Sequence, residues 1–501
     1  SPPPLQSVWD AINADSSVCS GKRCSPEHCY YRKARAQVEK ADIIIVNHSL
    51  LFSLLGAGVS PPNDSDGIIF PDDFIIFDEA HEMVGEASEH LGVSISSWTL
   101  ENSLKRLYNP AKRKGILKKC GRVKDFDNVD FALHAVSDFF NHLHHVTLGE
   151  KDRIRILEPN EIPLDLLPPL SRVIRSLVEI GENCEEESLK IELIDQSKRF
   201  QAYIHGLSEI IEIKDSNSVY WIEKTGKQKQ VIHLRSAPLE VSRILERELF
   251  DKSSPVVMTS ATLTQNANAS KFIESIGCKN VKDIVLKSPF DYEFNMNIRI
   301  FEDCPEPMGP ERSRYLDYLI LSIDSLASSI EGGTLALFTN YQDLHYCYHH
   351  LKEKWNKKQR SIYAQGIDHS RSELQKHLLE EGDVLLLGAE SFWKGFDAKG
   401  PALSQVIITR LPFENPNHPM LEAKYEKITK EGKNSFLELT LPNAIIRFRQ
   451  GIGRLIRSKT DIGELVILDS RILKKQYGKL FISELPKKHF DRESSTFLIE
   501  D

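Results

Sequence analysis

The sequence predicts an α/β protein built from two parallel-sheet domains, the first of them interrupted by a helical insertion. Three observations carry this. Short continuous runs of Val, Ile and Leu recur between helical stretches, as strands buried on both faces of a parallel sheet do. The run Phe74-Ile75-Ile76-Phe77 ends abruptly in Asp78-Glu79, the kind of polar strand tip at which α/β sheets bind ligands. Between about residues 96 and 217 the apolar spacing turns helical, and β character returns after it.

At 501 residues the chain has room for roughly two to four domains. Its 41% apolar and 27% charged residues are those of a globular protein. No apolar run approaches the roughly 20 residues that cross a bilayer, and no signal peptide opens the chain, so a cytoplasmic protein without a membrane partner is expected. The net charge of -8 excludes a uniformly basic coat; any nucleic-acid contact must come from local patches.

Taken in order, residues 1–40 are polar and carry Cys19, Cys24 and Cys29, ending in a basic helical stretch with Arg32, Lys33 and Arg35. Ile43-Ile44-Ile45-Val46 reads as a buried strand, followed by a Gly/Pro/Asp-rich loop and the acid-tipped strand. Residues 41–95 and 218–285 are assigned to the first α/β domain, with 96–217 as the insertion. Within it, Leu170, Val173, Ile174, Leu177 and Val178 recur at helical spacing after Pro168-Pro169, a proline-started amphipathic helix. Residues 105–124 hold nine Lys/Arg and no acid, which suits either a solvated face or a phosphate-contacting rim. His134, His142, His144 and His145 lack metal-ligand spacing and read as ordinary helix residues. The strand Pro255–Leu263 closes the first domain. Residues 286–501 form the second, with strands at Thr334–Phe338, Val384–Leu387, Val406–Thr409 and Leu465–Leu468.

Asp next to Glu at a strand tip suits a nucleotide-phosphate site. Asp78 would hold Mg²⁺, usually through water, and Glu79 would orient and deprotonate an attacking water. In Gln450-Gly451-Ile452-Gly453-Arg454-Leu455-Ile456-Arg457, a continuous helix would put Gln450, Arg454 and Arg457 on one face. Guanidiniums presented together suit a developing phosphoryl charge.

Asp78-Glu79-Ala80-His81, Thr259-Ser260-Ala261-Thr262-Leu263, Gly333 to Tyr341, Ser391 to Asp397 and Gln450 to Arg457 resemble, in that order, helicase motifs II, III, IV, V and VI. With Ser288-Pro289-Phe290-Asp291 and Arg410-Leu411-Pro412-Phe413 they are similar to the DinG/XPD branch of superfamily 2. The resemblance implies two RecA-like P-loop NTPase motor domains, a helical Arch insertion at 96–217 and, at 1–40, part of an iron-sulfur domain. It implies an ATP-dependent, 5′ to 3′ DNA helicase of repair or replication, acting as a monomer on single-stranded and forked DNA. The alternatives are a catalytically dead nucleic-acid-binding remnant and a DEAH-type RNA helicase. Ser260, Thr262 and His81 would couple hydrolysis to movement, Gly395, Asp397 and Gly453 would face nucleotide, and Thr339 and Asn340 would face nucleic acid. Cys19, Cys24 and Cys29 would hold three corners of a 4Fe-4S cluster, with Arg32, Lys33 and Arg35 beside the strand.

One departure is plain. A motor ATPase needs a Gly-x-x-x-x-Gly-Lys-Ser/Thr loop, yet the Gly-Lys pairs beginning at Gly21, Gly226, Gly432 and Gly478 lack both the earlier Gly and the following hydroxyl. The reading expects that loop, and the fourth cluster cysteine, upstream of Ser1. Lys394 stands where the family usually has an acid.

Overall fold

The computed structural model describes residues 27–38, 40–56, 74–226, 230–251, 255–264, 268–395 and 400–495. The chain divides into two units: 1–264 with 268–282 and 417–424, and 265–267 with 283–416 and 425–501.

The first unit has two cores. In the smaller, strands β1 (Ile75–Phe77) and β6 (Val256–Met258) pair in parallel, and Phe77 packs with Phe52, Leu55, Ala80 and Met83. The larger belongs to the insertion. Helices Ser97–Leu107, Val123–His142, Leu167–Glu182 and Glu187–Glu212 lay their apolar stripes against one face of an antiparallel sheet, ordered β2 (Ser94–Ser96), β5 (Val231–Pro238), β4 (Ser218–Thr225), β3 (Arg153–Ile156). The proline-started helix forms as its spacing predicts, burying Leu170, Val173 and Leu177.

Two expectations are corrected here. The β4–β5 hairpin was assigned with 218–285 to the first motor domain, but it pairs with β2 and β3, and Tyr220, Ile222, Ile232 and Leu234 lie in the core of the insertion. The insertion therefore runs past 217 to Pro238. The physical reason is alternation: every second hairpin residue is apolar on the helix-facing side. Ile43-Ile44-Ile45-Val46 forms no strand, and Ile43 and Ile45 are 81% and 92% exposed. β-branched residues favour extended backbone, but a strand also needs a ladder partner, and among the described residues this run has none.

The second unit is a seven-stranded, all-parallel sheet in the order β13 (Asp491–Glu493), β7 (Met296–Phe301), β12 (Gly463–Ile467), β11 (Gln405–Ile408), β8 (Thr334–Leu337), β10 (Val384–Gly388), β9 (Ser361–Ala364). The four predicted strands are its central ones, and their inner residues are apolar because helices cover both faces. Leu335, Leu386, Val406 and Leu465 enter one core; Ala336, Leu385, Ile407 and Val466 enter the other. Because all strands run parallel, their C-terminal tips share one edge, where Thr339 and Asn340 follow β8 and Ser391 to Gly395 follow β10.

Ile222 is fully buried between hairpin and helices. Ile222→Ala is expected to cost about 2–4 kcal/mol. The loss should fall on the insertion, so limited proteolysis should cut within 97–212 before it cuts the seven-stranded sheet.

Candidate functional site

In the first unit the acid site is assembled by strand pairing. The rungs Ile75–Val256, Ile76–Val257 and Phe77–Met258 bring two strand tips side by side that are about 180 residues apart in sequence. The ladder continues into the loops: the Thr259 N–H donates to Phe77 O at 2.8 Å, and the Ala80 N–H donates to Thr259 O at 2.9 Å. Asp78 Oδ1 accepts from the Thr259 hydroxyl and from the Glu79 N–H, each at 3.0 Å. Glu79 itself sits at φ 49, ψ 44, in the left-handed region that a side chain bearing a Cβ rarely adopts, which turns the chain sharply after Asp78.

A relay of polar groups runs away from these carboxylates. Ser260 Oγ donates to Glu79 Oε2 at 3.4 Å and lies 2.8 Å from His81 Nδ1. Its neighbour is the buried Thr262, whose N–H donates to Ser260 Oγ at 3.1 Å and whose hydroxyl is 3.2 Å away. Asp78 and Glu79 are exposed, Ser260 and His81 half-buried and Thr262 buried. Exposed hard oxygens at the tip fit Mg²⁺, which keeps several waters and needs only one or two carboxylates. The structure thus brings together Asp78, Glu79, His81, Ser260 and Thr262.

In the second unit the arginine motif departs from the expected geometry. The helix Leu441–Ile452 ends at Ile452 and is capped by Gly453, so Gln450 is helical while Arg454 and Arg457 lie in the turn beyond. The three do not share one helix face. Glycine explains the break: two weak helix formers in three residues end the helix there. Gly451 also answers a packing need, because a Cβ on it would lie 2.7 Å from the Trp393 ring. Arg454, 7% exposed, donates from Nη2 to Trp393 O at 2.9 Å, and Trp393 Nε1 donates to Phe338 O at 2.8 Å. Motifs IV, V and VI are therefore joined through one indole. Gly395 has φ +60, and a Cβ there would meet the Arg371 guanidinium at 3.0 Å. Thr339 ends the strand tip, and Asn340 caps the helix Tyr341–Lys357, accepting from the Asp343 N–H at 2.8 Å.

Sequence reading missed three residues that hold these loops. Gln365, after β9, donates to Tyr341 Oη at 2.8 Å and Ser391 Oγ at 2.7 Å, and accepts from the Ala389 N–H at 2.8 Å, fastening three strand tips. Arg371 donates to Lys394 O at 2.7 Å. Asp461, 5% exposed, accepts from the N–H groups of Arg457 (2.8 Å), Ser458 (2.7 Å) and Gly400 (3.3 Å), and from Ser458 Oγ. Glutamine and aspartate in loops are common, so only the fold distinguishes these.

Of the remaining predicted residues, Cys19, Cys24 and Asp397 lie outside the described residues. Cys29 is a free, half-buried thiol just before the helix Tyr30–Val38, on which Arg32 is half-buried and Lys33 exposed; Arg35 belongs to the same helix. No described helix is long and apolar enough to cross a membrane.

Residues 323–488 match the helicase C-terminal domain family. Over 96% of its length the chain is 30% identical to the 3′-5′ exonuclease DinG of Bacillus subtilis, covering 55% of that protein. It is 29% identical to the ATP-dependent DNA helicases YoaA of Escherichia coli and DinG of Photobacterium profundum, covering 72% and 73% of them. Among solved structures it is similar to an XPD helicase, with a TM-score of 0.58, 17% identity and coverage of 95% of this chain and 76% of that one. S. tokodaii Xpd4 is matched at a TM-score of 0.53 and 17% identity, over 86% of this chain and 78% of its own.

Burial would raise the Asp461 carboxyl, but the Ser458 hydroxyl and the N–H groups of Arg457, Ser458 and Gly400 outweigh it and hold it below the usual carboxylate range. A depressed folded value stabilises fully above about pH 4 and is lost as pH falls through that folded value. Asp461→Asn should lower the urea midpoint at neutral pH and flatten the stability loss below about pH 4, measured by urea melts across that range.

Proposed function

We propose that this chain, a member of the DinG/XPD branch of superfamily 2 helicases, carries the motor of an ATP-dependent DNA helicase. It spans about half the length of the Bacillus subtilis relative, so the activity of the whole protein is inferred from the site. The observation that carries the reading is the pairing of β1 with β6, which sets an exposed Asp-Glu pair against a Ser-His-Thr relay.

ATP is hydrolysed at this tip. Asp78 is the carboxylate that would hold Mg²⁺, which would supply charge neutralisation at the phosphates. Glu79 orients and deprotonates the attacking water, and its left-handed backbone fixes the carboxylate just past Asp78. His81 and Ser260 take up the change at Glu79 and pass it through Thr262 to the loop after β6. Within the second unit, Arg454 and Arg457 are the guanidiniums suited to a γ-phosphoryl charge, with Gln450 on the helix before them, and Gly395, Asp397 and Gly453 are the positions that would face nucleotide. Arg454 also holds the Trp393 carbonyl, so a change at the phosphate is felt at motif V and, through Phe338, beside Thr339 and Asn340. Those two residues contact a single DNA strand.

Cys19, Cys24 and Cys29 are the thiols that would hold a 4Fe-4S cluster, with Arg32, Lys33 and Arg35 as the cations that would line the strand beside it. The cytoplasmic, monomeric protein moves 5′ to 3′ on single-stranded DNA and opens forks in repair or replication.

The test measures ATP turnover by the full-length protein with single-stranded DNA or RNA as stimulator. DNA should stimulate more than RNA, and Glu79→Gln should lower turnover by about 10²–10⁴-fold while DNA affinity holds. Stimulation by RNA alone, or undiminished turnover in Glu79→Gln, would defeat the reading.

A further inference from the structure

The basic run of the insertion takes no part in the site above, and the fold sorts its charges into two groups. Lys105 pairs with Glu101, Arg106 with Glu192 at 3.7 Å, Arg122 with Glu179 at 2.7 Å and Asp125 at 3.3 Å, and Lys124 with Glu179 at 3.0 Å. Lys112, Arg113, Lys114, Lys118 and Lys119 are all exposed and make no ion pair among the described residues. The paired cations thus flank the run, and the unpaired ones occupy its middle.

That middle is an ordered turn. Asn109 N–H donates to Lys114 O at 2.7 Å, and Asn109 Oδ1 accepts from the Lys112 N–H at 3.0 Å. Arg113 has φ 50, and Gly115 has φ +147 with Leu107 O only 2.4 Å from where a Cβ would lie, so the reversal there needs glycine. The fully buried Leu117 anchors the segment in the core of the insertion. Five like charges on one short segment repel one another. A chain seeking only solubility would intersperse acids or let the segment spread; this one is fastened in place with its charges together.

We propose that the turn at residues 108–119 is a docking surface for the sugar-phosphate backbone of duplex DNA, the unseparated arm of a forked substrate. The inference rests on the motor reading above. Charge selects a polyanion, and the aromatics select the duplex. Single-strand sites combine cations with open aromatic faces on which bases stack. Here Tyr108 and Phe126 stack on each other with centroids 4.5 Å apart, and Lys118 Nζ lies 5.8 Å over the Phe126 ring. The turn offers charge without a stacking platform. A duplex hides its bases and presents about one charge per 1.7 Å of axis. Contact is to phosphate alone, so it positions the duplex without reading its sequence.

The test is fluorescence anisotropy on the full-length protein with a blunt duplex and with a single strand, across a salt series. In Lys112→Gln/Arg113→Gln/Lys114→Gln, duplex affinity at low salt should fall roughly tenfold or more, and the slope of log K against log salt should become shallower by about 2 to 3. Single-strand affinity and unstimulated ATP turnover should stay as they were. Lys118→Gln/Lys119→Gln, which leaves the hydrogen bonds of the turn intact, should lose duplex affinity in the same sense. Unchanged duplex affinity and slope in both variants overturns the proposal, as does an equal loss on the single strand. A parent protein that binds neither nucleic acid overturns the motor reading and this inference together, whereas an unaffected duplex arm beside normal DNA-stimulated turnover overturns this inference alone.

Discussion

Three rungs of parallel ladder, Ile75 to Val256 through Phe77 to Met258, are the constraint on which the first unit's chemistry depends. Neither strand has a partner acid or hydroxyl nearby in sequence; the pairing supplies both. Closing a flexible loop of that length costs about 5 kcal/mol beyond a constant by chain-entropy arguments. Three rungs and one shared apolar cluster offset that poorly on their own. The insertion changes the balance because it has its own core, so the segment between the strands is a folded body rather than a free loop. Glu79 adds strain of roughly 1–2 kcal/mol, expected for a left-handed residue with a Cβ. The Ala80 to Thr259 hydrogen bond holds the turn against it.

The second unit solves a similar problem without strain. Motifs IV and V follow the C-terminal tips of the neighbouring strands β8 and β10, so topology alone brings those two together, whereas motif VI ends the helix that precedes β12. What remains is to fix the loops relative to one another, and side chains with no candidate chemistry of their own do this. Trp393 spans motifs IV and VI, Gln365 fastens the tips of β8, β9 and β10, and Asp461 gathers the N–H groups around Arg457. Each ties its polar atoms to more than one loop, which leaves the loops few alternative arrangements.

What the sequence made legible follows from how local each signal is. The central strands were readable because burial on both faces forces continuous apolar runs, and Asp78 and Glu79 stand out in sequence as acids directly after such a run, a pattern that a solvated turn also gives. The run Ile43 to Val46 carries the same signal without a neighbour to pair with, and composition does not show neighbours. The hairpin at 218–238 was legible as β structure, but its allegiance depends on β2 and β3 across a fold. The shared helix face expected for Gln450, Arg454 and Arg457 does not form, since helix spacing was extended through two glycines that end the helix. Gln365 and Asp461 act through space on residues distant in sequence, and nothing in their own surroundings announces it.

The separation of β1 from β6 also has a consequence in time. A ribosome adding about 5–20 residues per second exposes the Asp-Glu strand roughly 10 to 35 s before its partner emerges. Through that interval the insertion can fold first, being local in its contacts, while Phe77 and its apolar neighbours wait without a mate. Synthesis therefore imposes an order of assembly: the inserted body comes first and the acid tip last. Codon choices or chaperones that act between residues 78 and 256 would alter the yield of folded protein without touching a single residue of the acid tip.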